Sequence, residues 1–323
     1  MISIALDRYD RHLPFFDGTV GLPGGLAGLQ VLQVGQHGAL RDGTHRHERM
    51  LRDGEFDAAE TSLASYIVAK SQDLPFTAIP VFPRRLFSQG QIFVHAGSGI
   101  EKPSDLEGRV IGLQSFQTTL AVLAKGDLAT EYNVSVRDIK WRVGNADTVE
   151  IDNNPDFDIA PIPSGRKLPD MLCSGEIDAL FYSRLPEVPA ERRADFRRLF
   201  EDPKAVEADF LARNGYWPIM HVMAVKNETI DAHPTLATDL MSVFADAEYI
   251  AETYLADPNW TRLPWAKYTA EEEAAAFGQS LWTSGVAANA ANLERFIGYT
   301  VDQGLIDAPL PVADLFHPSV RDT

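Results

Sequence analysis

The chain has very little cysteine, little basic charge and no long apolar run. Cys173 is the only cysteine among 323 residues, which excludes an intramolecular disulfide and a thiolate metal cluster built within one chain. There are 29 lysines and arginines against 46 aspartates and glutamates, a net charge of −17 at pH 7, so nucleic acid and anionic membrane surfaces are poor partners. No stretch reaches the roughly 18 consecutive apolar residues of a membrane span.

The amino-terminal residues give an expectation about location. The apolar run 2–6 is shorter than that of a signal peptide, and no basic residues precede it. We therefore expect a cytoplasmic protein. With 45% hydrophobic and 23% charged residues, the composition is that of a folded globular protein, and the length favours two packed units over one core.

Short apolar strands alternate with helical patterns, which predicts an α/β protein. Strands are predicted at 2–6, 29–34, 56–58, 77–82, 91–95, 109–113, 139–143, 177–181 and 219–225. Helices are predicted at 44–54, 62–71, 118–130, 168–174, 234–255, 270–277 and 289–303. We expect the proline-rich tail 309–318 to pack as an extended cover.

A five-residue pattern occurs twice. Gly-Glu-Phe-Asp-Ala at 54–58 returns as Gly-Glu-Ile-Asp-Ala at 175–179, each time after a predicted helix, which supports two lobes of similar construction. If the chain crosses between lobes near residues 91–95 and returns near 217–223, lobe I comprises 1–92 and 217–323, and lobe II comprises 93–216. This is the layout of a two-lobed type 2 periplasmic-binding-protein-like fold with a ligand cleft between the lobes, where ligands meet the carboxyl ends of strands.

Several segments resemble the 4,5-dihydroxyphthalate decarboxylase family, and together they cover nearly the whole chain. The most specific is 55–66 followed by 75–83; the others are 7–11, 98–100, 105–108, 218–221 and 314–318. The resemblance implies a solute-binding-protein-like fold that has become a carboxy-lyase for hydroxylated aromatic dicarboxylates. Such chemistry requires a site that holds a carboxylate, helps to ionise a phenol and presents one proton donor.

The chain departs from that family's pattern in two places. Residues 84–89 read Arg-Arg-Leu-Phe-Ser-Gln, where family members have Ser-Arg and then Phe-Arg-His. Residues 282–285 read Trp-Thr-Ser-Gly in place of Trp-Pro-Tyr-Gly, and Asn289 is followed by alanine where arginine is expected. A tyrosine, an arginine and a histidine expected around the substrate are therefore missing, which leaves a changed substrate and a lost activity both open.

Arginine is well suited to a carboxylate because its planar fork donates two parallel bonds. Five arginines near the ends of predicted strands are candidate substrate ligands: Arg8, Arg11, Arg84, Arg85 and Arg184. The alternative is that they pair with surface acids such as Asp7 and Asp10.

Polar residues at two strand-to-helix turns are further candidates. Ser62 in lobe I is expected to face a carboxylate together with three residues of lobe II, because hydroxyls and helix N-termini bind anions: Gln114, Thr118 and Thr119. The alternative for Ser62 and Thr118 is a plain N-cap role, which is compatible with facing the cleft. Phe116 and Trp217 are the expected neighbours of an aromatic ring.

His221 and Glu60 are the candidate proton carriers. His221 lies in an otherwise apolar predicted strand, and its match to the family motif and its titration near neutrality favour it as the acid that protonates the ring carbon. The alternative is a buried structural histidine. Glu60, at the predicted strand-to-helix turn, is the second choice, with a raised pKa beside the anion site.

Histidines at 37, 45 and 47 suggest a metal site, which we do not adopt. Residues two apart at a helix start diverge, so spacing fixes no third ligand. We therefore expect no metal and no cofactor. The expected ligand is a small aromatic carboxylate, with no nucleic acid or membrane as partner, and a homo-oligomer is left open.

Two other functions are open to the same sequence. One is a non-catalytic solute-binding protein that serves an ABC-type transporter of small aromatic carboxylates. The other is a biosynthetic protein of the thiamine-pyrimidine type, for which we find no histidine-rich or cysteine-rich pattern. The decarboxylase is the main hypothesis.

Overall fold

A computed structural model describes residues 1–23, 28–151, 154–255, 257, 259–278 and 280–323. Its strands form two sheets. The strands are β1 Ile2–Leu6, β2 Leu29–Gln33, β3 Ala58–Ser62, β4 Phe76–Ile79, β5 Ile92–His95, β6 Val110–Leu113, β7 Lys140–Val143, β8 Asp158–Pro161, β9 Ala179–Phe181, β10 Phe196–Arg198 and β11 His221–Lys226.

Helices cover the sheets and extend the carboxyl-terminal third of the chain. They are α1 Leu13–Phe16, α2 Arg46–Leu51, α3 Leu63–Ser71, α4 Thr119–Tyr132, α5 Leu168–Ser174, α6 Pro203–Asn214, α7 Asn227–Ala232, α8 Leu236–Leu255, α9 Ala266–Phe277 and α10 Ala290–Asp302. Within the described ranges, every helix is too short or too polar to cross a bilayer.

The two sheets share one pattern of strand directions, although the first has five strands and the second six. The first has the order β2-β1-β3-β11-β4 and the second the order β10-β5-β9-β6-β7-β8. In each, parallel strands are followed by one that runs antiparallel to both of its neighbours: β11 in the first sheet and β5 in the second. We call the parts of the chain around these sheets lobe I and lobe II. The boundaries proposed at residues 92 and 217 stay a prediction.

The five-residue repeat marks equivalent points of the two sheets. Ala58 pairs with Ile4 of β1, and Ala179 pairs with Ile111 of β6, both in parallel ladders. The aspartate before each alanine accepts a backbone N–H of the neighbouring strand. Asp57 accepts that of Ser3 at 2.8 Å, and Asp178 accepts that of Val110 at 2.9 Å.

Most predicted elements are present with shifted ends, but the strand expected at 56–58 is wrong. β3 runs from Ala58 to Ser62, so Glu60 lies inside a central strand and not in the turn that follows it. Sequence propensity disfavours a carboxylate there, and only partners from distant segments make the position tolerable. The pattern also missed β8, β10 and α6, whose apolar residues are few.

Both cleft-facing N-caps are at their expected positions. Ser62 precedes α3 and accepts the N–H of Ser65 at 3.4 Å. Thr118 precedes α4, but its hydroxyl donates to the Ser115 carbonyl at 3.3 Å and caps no N–H group of the helix. Thr118 therefore occupies the N-cap position of α4, but its side chain does not cap the helix.

Candidate active site

A cavity of about 300 Å³ lies between the lobes, at the lower end of the roughly 300–1,000 Å³ of small-molecule sites. Lobe I lines it with residues before and along α2, the start of α3, Arg84 and the start of β11. Lobe II lines it with the turn before α4, the segment 145–148 and the end of β9. Both walls are polar, and Leu120, Phe181 and Met220 add apolar surface.

His221 and Glu60 meet because their strands are neighbours. In the antiparallel pair of β3 and β11, His221 lies opposite Ser62, and Met223 lies opposite Glu60. Side chains two residues apart share a face of a strand, so Glu60 is the diagonal neighbour of His221 on the face that carries Ser62. The Nδ1 atom of His221 makes a short hydrogen bond to Oε1 of Glu60.

Arg46, the first residue of α2, compensates the charge of Glu60. Its Nη2 lies 3.1 Å from Oε2 of Glu60, and its Nε donates to the Glu60 carbonyl at 2.8 Å. Both side chains are fully buried. The same guanidinium contacts Asp7 at 3.2 Å, and the Tyr9 hydroxyl donates to Glu60 at 3.1 Å. A buried carboxylate is thus surrounded by donors.

The pKa of Glu60 is lowered, contrary to the expectation of a raised value. Burial alone would raise this pKa, but the charge of Arg46 and the hydrogen bond from His221 outweigh it and hold the pKa well below its ordinary range. Glu60 is therefore ionised at neutral pH. As a carboxylate it accepts hydrogen bonds and is not equipped to donate a proton.

His221 is neutral at the same pH. Burial lowers its pKa to about 4, although the carboxylate of Glu60 acts in the opposite direction. Because Glu60 is an ionised acceptor, the proton of the neutral imidazole lies on Nδ1. This leaves Nε2 as the nitrogen that can accept a proton from a ligand in the cavity.

Three further histidines line the cavity beside this pair: His37, His45 and His47. The ring of His47 lies perpendicular to that of His221 with 4.8 Å between centroids. The Nε2 atom of His37 lies 3.3 Å from Nη1 of Arg84 and 3.3 Å from the Ser183 hydroxyl. In the described ranges no three His, Cys, Asp or Glu side chains form a group suited to a metal ion.

Arg84 is the cation best placed for an anionic ligand. It lines the cavity, and its polar contacts are with His37 and, at 3.4 Å, with the carbonyl of Ser183. It forms no ion pair with an acid in the part of the chain that the structure describes. Its charge is therefore available to a carboxylate.

Arg84 and Arg85 point in opposite directions because the segment is extended. Arg85 forms an antiparallel bridge with Ile219, and successive side chains of extended backbone alternate. Arg85 is buried and donates to the carbonyls of Trp217 and Thr283 and to Asn289, at 2.7, 2.8 and 2.7 Å. Burial lowers its pKa to about 10. The structure thus places Arg85 behind the cavity, where it holds lobe I together.

Four of the predicted polar residues line the cavity: Ser62, Gln114, Thr118 and Thr119. The hydroxyls of Ser62 and Thr119 lie 2.9 Å apart and join the lobes. Helices α3 and α4 both begin here, so two positive helix ends face the same space. Arg184 lies at an adjoining cleft in lobe II, near the cavity, where it donates to the His37 carbonyl at 3.3 Å.

The remaining candidates lie away from the cavity. Arg8 is exposed, and Arg11 donates to the Pro83 carbonyl at 2.9 Å while lying over the Trp282 ring. Phe116 is buried in lobe II under Lys125, and the ring of Trp217 stacks on Phe87. These side chains belong to packing and to the surface.

Arg46 and His47 are two of the site residues that the sequence does not identify. Both belong to the segment 44–54, which was considered only for a metal. The signal that could identify them is Arg46 itself, at the start of a predicted helix. If such a helix buries its first turn, the arginine requires an acid from a neighbouring strand.

The fold and its polar cleft define a two-lobed protein with a cavity of small-molecule size between the lobes. Residues 40–253 match the family described as NMT1/THI5 like. The alkanesulfonate-binding protein SsuA from Xanthomonas axonopodis pv. citri, solved with MOPS, superposes with a TM-score of 0.58 at 12% identity, covering 98% of this chain and 97% of that chain. The type 2 periplasmic-binding-protein-like fold is thereby confirmed.

Two relatives that are more similar to the chain in sequence identify the family more closely. The chain is 32% identical to the 4,5-dihydroxyphthalate decarboxylase of Comamonas testosteroni, over 98% of this chain and 96% of the relative. It is 28% identical to the enzyme of that name from Pseudomonas putida, over 67% and 83%. The chain belongs to the NMT1/THI5-like family. Its identity to the Comamonas testosteroni enzyme also makes it a member of the 4,5-dihydroxyphthalate decarboxylase family.

Proposed function

We propose that this protein is a carboxy-lyase that removes CO2 from a hydroxylated aromatic or heteroaromatic (di)carboxylic acid related to dihydroxyphthalate. The observation that carries the proposal is the Glu60–His221 pair, a buried carboxylate that holds a neutral imidazole at the wall of a cavity. The relatives of the same family support the reaction class, since both are named decarboxylases.

The cavity supplies what such a substrate needs for binding. Arg84 offers to one carboxylate a guanidinium that pairs with no acid among the described residues. Ser62 and Thr119 offer hydroxyls at the starts of α3 and α4, where helix dipoles favour a negative charge. Closure of the cleft on a ligand would exclude bulk water, which favours conversion of a charged carboxylate to neutral CO2.

His221 suits proton transfer with the ring hydroxyl. Its Nε2 accepts the phenolic proton, the oxygen's electron pair moves into the ring, and the resulting imidazolium is stabilised by Glu60. The ring carbon that bears the carboxylate then takes a proton supplied from solvent. The C–CO2 bond breaks with its electron pair returning to the ring, and His221 returns its proton to the oxygen. The role expected from the sequence, in which His221 itself protonates the ring carbon, stays a prediction; the neutral imidazole favours the base.

Purified protein should be incubated with ortho- and para-hydroxylated aromatic mono- and dicarboxylates while CO2 release and thermal shift are followed. We expect CO2 from at least one of them. His221→Ala should reduce turnover by about 10²–10⁴-fold and leave the ligand-induced thermal shift in place. Stabilisation without CO2 across the whole panel would favour the solute-binding alternative.

Three broader points concern location, biological role and assembly. We propose that the protein is cytoplasmic and takes part in the breakdown of aromatic acids, and we leave open whether it forms a homo-oligomer. Cell fractionation tests the first, growth of a deletion strain on the identified substrate tests the second, and light scattering of the purified protein tests the third.

A further inference from the structure

The wall of the cavity carries a second imidazole that the mechanism above does not use. His47 lines the cavity, is 5% exposed, and packs edge-to-face against His221 with 4.8 Å between ring centroids. Its Nε2 is buried and has no hydrogen-bond partner within the described residues. A buried polar atom without a partner is unusual and calls for an explanation.

The position of His47 follows from α2. His45 adopts a left-handed backbone conformation, with φ of 60°, and ends the preceding loop, so that Arg46 and His47 both enter the buried side of the helix. Arg46 docks on Glu60 of β3. His47 is thereby fixed next to the proton-accepting pair, but among the described residues no carboxylate pairs with it.

Charged and titratable groups face His47 from each element around it. These are Arg46 and Glu48 on α2, Arg52 just after α2, Glu60 on β3, His221 on β11, His37 in the preceding loop and Arg84 after β4. Burial, followed by the charges of His221 and Arg46, lowers the pKa of His47 well below its ordinary value, so that His47 is neutral in this surrounding. A carboxylate brought within a few ångströms would act in the opposite direction.

We propose that His47 takes up a proton when an anionic aromatic carboxylate occupies the cavity and then delivers it to the ring carbon that loses CO2. This inference rests on the proposed carboxy-lyase function for its second half. Its first half, proton uptake by His47 on binding of an aromatic dicarboxylate, needs no turnover.

The proton balance closes over the cycle. His47 receives one proton from solvent as the dicarboxylate binds, and His221 receives the phenolic proton at Nε2. The imidazolium of His47 gives its proton to the ring carbon, where a C–H bond forms as an N–H bond breaks. The C–CO2 bond then breaks, its electron pair restores the aromatic ring, and His221 returns its proton to the oxygen. The net reaction consumes one proton and releases one CO2.

For a para-hydroxylated substrate, two imidazoles are needed because one cannot reach both ends of the reaction. A para hydroxyl and the carbon that accepts the proton lie on opposite sides of the ring. The phenolic proton and the ring proton are therefore best handled by separate groups, and His221 and His47 are adjacent groups on the same wall. Assigning acid and base to different environments is a common arrangement in enzymes.

Binding of phthalate, the ring dicarboxylate without hydroxyls, tests the first half. Calorimetric titrations at pH 7.5 in two buffers of different ionisation enthalpy give the number of protons taken up. We expect close to one proton per phthalate for the wild type and for His233→Gln, a variant outside the cavity, and close to none for His47→Gln. Absence of phthalate binding, or binding without proton uptake by the wild type, would overturn the proposal whatever the variants do.

Turnover of the substrate found in the panel tests the second half. We expect His47→Gln to lower kcat by about 10²-fold or more with little change in KM, while His233→Gln stays at the wild-type rate. Unchanged kcat in His47→Gln overturns the donor role alone, and leaves the carboxy-lyase function standing. If the wild type releases no CO2, the carboxy-lyase function fails, and the phthalate titration still decides on proton uptake. His47→Asn serves as a second variant should His47→Gln not fold.

Discussion

The two lobes place very different side chains at equivalent points of equivalent strands. The offset of the five-residue repeat pairs β3 of lobe I with β9 of lobe II, so that Glu60 corresponds to Phe181 and Ser62 to Ser183. Both Glu60 and Phe181 are buried, at 0% and 2% exposure. Lobe I thus brings charge and proton chemistry to the cleft, while lobe II brings an aromatic wall. The two lobes share the same strand framework, but only lobe I places an ionised carboxylate at this position.

The hydroxyls that follow these positions behave alike. Ser62 of lobe I contacts Thr119 of lobe II at 2.9 Å, and Ser183 of lobe II contacts His37 of lobe I at 3.3 Å. Each lobe therefore offers a serine to the other across the cleft. The lobes therefore differ at the buried position two residues earlier, which is Glu60 in lobe I and Phe181 in lobe II. They also differ in α2, whose Arg46 compensates the charge of Glu60.

The largest effect is expected from removing the charge that distinguishes lobe I. Glu60→Gln should lower the free energy of unfolding by about 3 kcal/mol, because it leaves the buried guanidinium of Arg46 without its carboxylate. It should also lower kcat by at least about 10²-fold. Chemical denaturation and steady-state kinetics measure the two effects. Phe181→Leu, at the matching position, should cost only about 1 kcal/mol; equal losses would contradict the contrast.

Substitution of the adjacent arginines separates the cleft side of lobe I from its core side. Arg84→Gln should weaken binding of an aromatic carboxylate by about 10–100-fold with an unchanged melting temperature, since it removes a charge-assisted contact at the surface of the cavity. Arg85→Gln should instead lower the melting temperature, because three buried acceptors lose their donor. Thermal shift with and without ligand measures both. A loss of ligand affinity confined to Arg85→Gln would reverse the assignment.

Acid should act mainly through lobe I. The folded-state pKa of His221, about 4, lies below the ordinary value of 6.5, and that of Glu60 lies well below its ordinary value of 4.5. Both groups therefore contribute stability that is present above their unfolded pKa values and is lost as pH falls, beginning near 6.5 for His221 and near 4.5 for Glu60. Unfolding curves measured from pH 7.5 to 4 should show this decline, and His221→Phe should flatten its upper part. An equal decline in that variant would contradict the prediction.

The smallest effect is expected where the lobes are most alike. Asp57→Asn and Asp178→Asn should each reduce stability by about 1–2 kcal/mol without changing KM, because both carboxylates bind an N–H of the neighbouring strand. Asp57 should cost more, since it also accepts the hydroxyls of Ser3 and Thr229 at 2.8 and 3.0 Å. Urea denaturation measures both, and a loss at only one of the two sites would weaken the equivalence.

Local patterns predicted the framework well, because the period of apolar residues and the glycines that end helices are properties of short segments. They could not predict that Glu60 lies in a strand, since its burial depends on Arg46, a residue of another element. They could not separate Arg84 from Arg85 either, because the bridge to Ile219 decides which one faces the cavity. The sequence motif around His221 was enough to identify it. The place of His47 in the site follows only from the packing of α2 against β3, which a local pattern does not show.

The hydrogen bonds that join the cleft have a consequence for how fast the protein can work. Arg52 donates to the carbonyls of Asp147 and Thr148 at 3.0 and 3.2 Å, and Gln72 donates to that of Glu150 at 2.8 Å. A transport receptor can wait for its membrane partner to separate the lobes, but a catalyst has to reopen by thermal motion after every product. The hydrogen bonds near α2 and α3 would then have to break before each product leaves. Their lifetime, on the microsecond-to-millisecond scale of domain motions, would set an upper limit on the turnover rate.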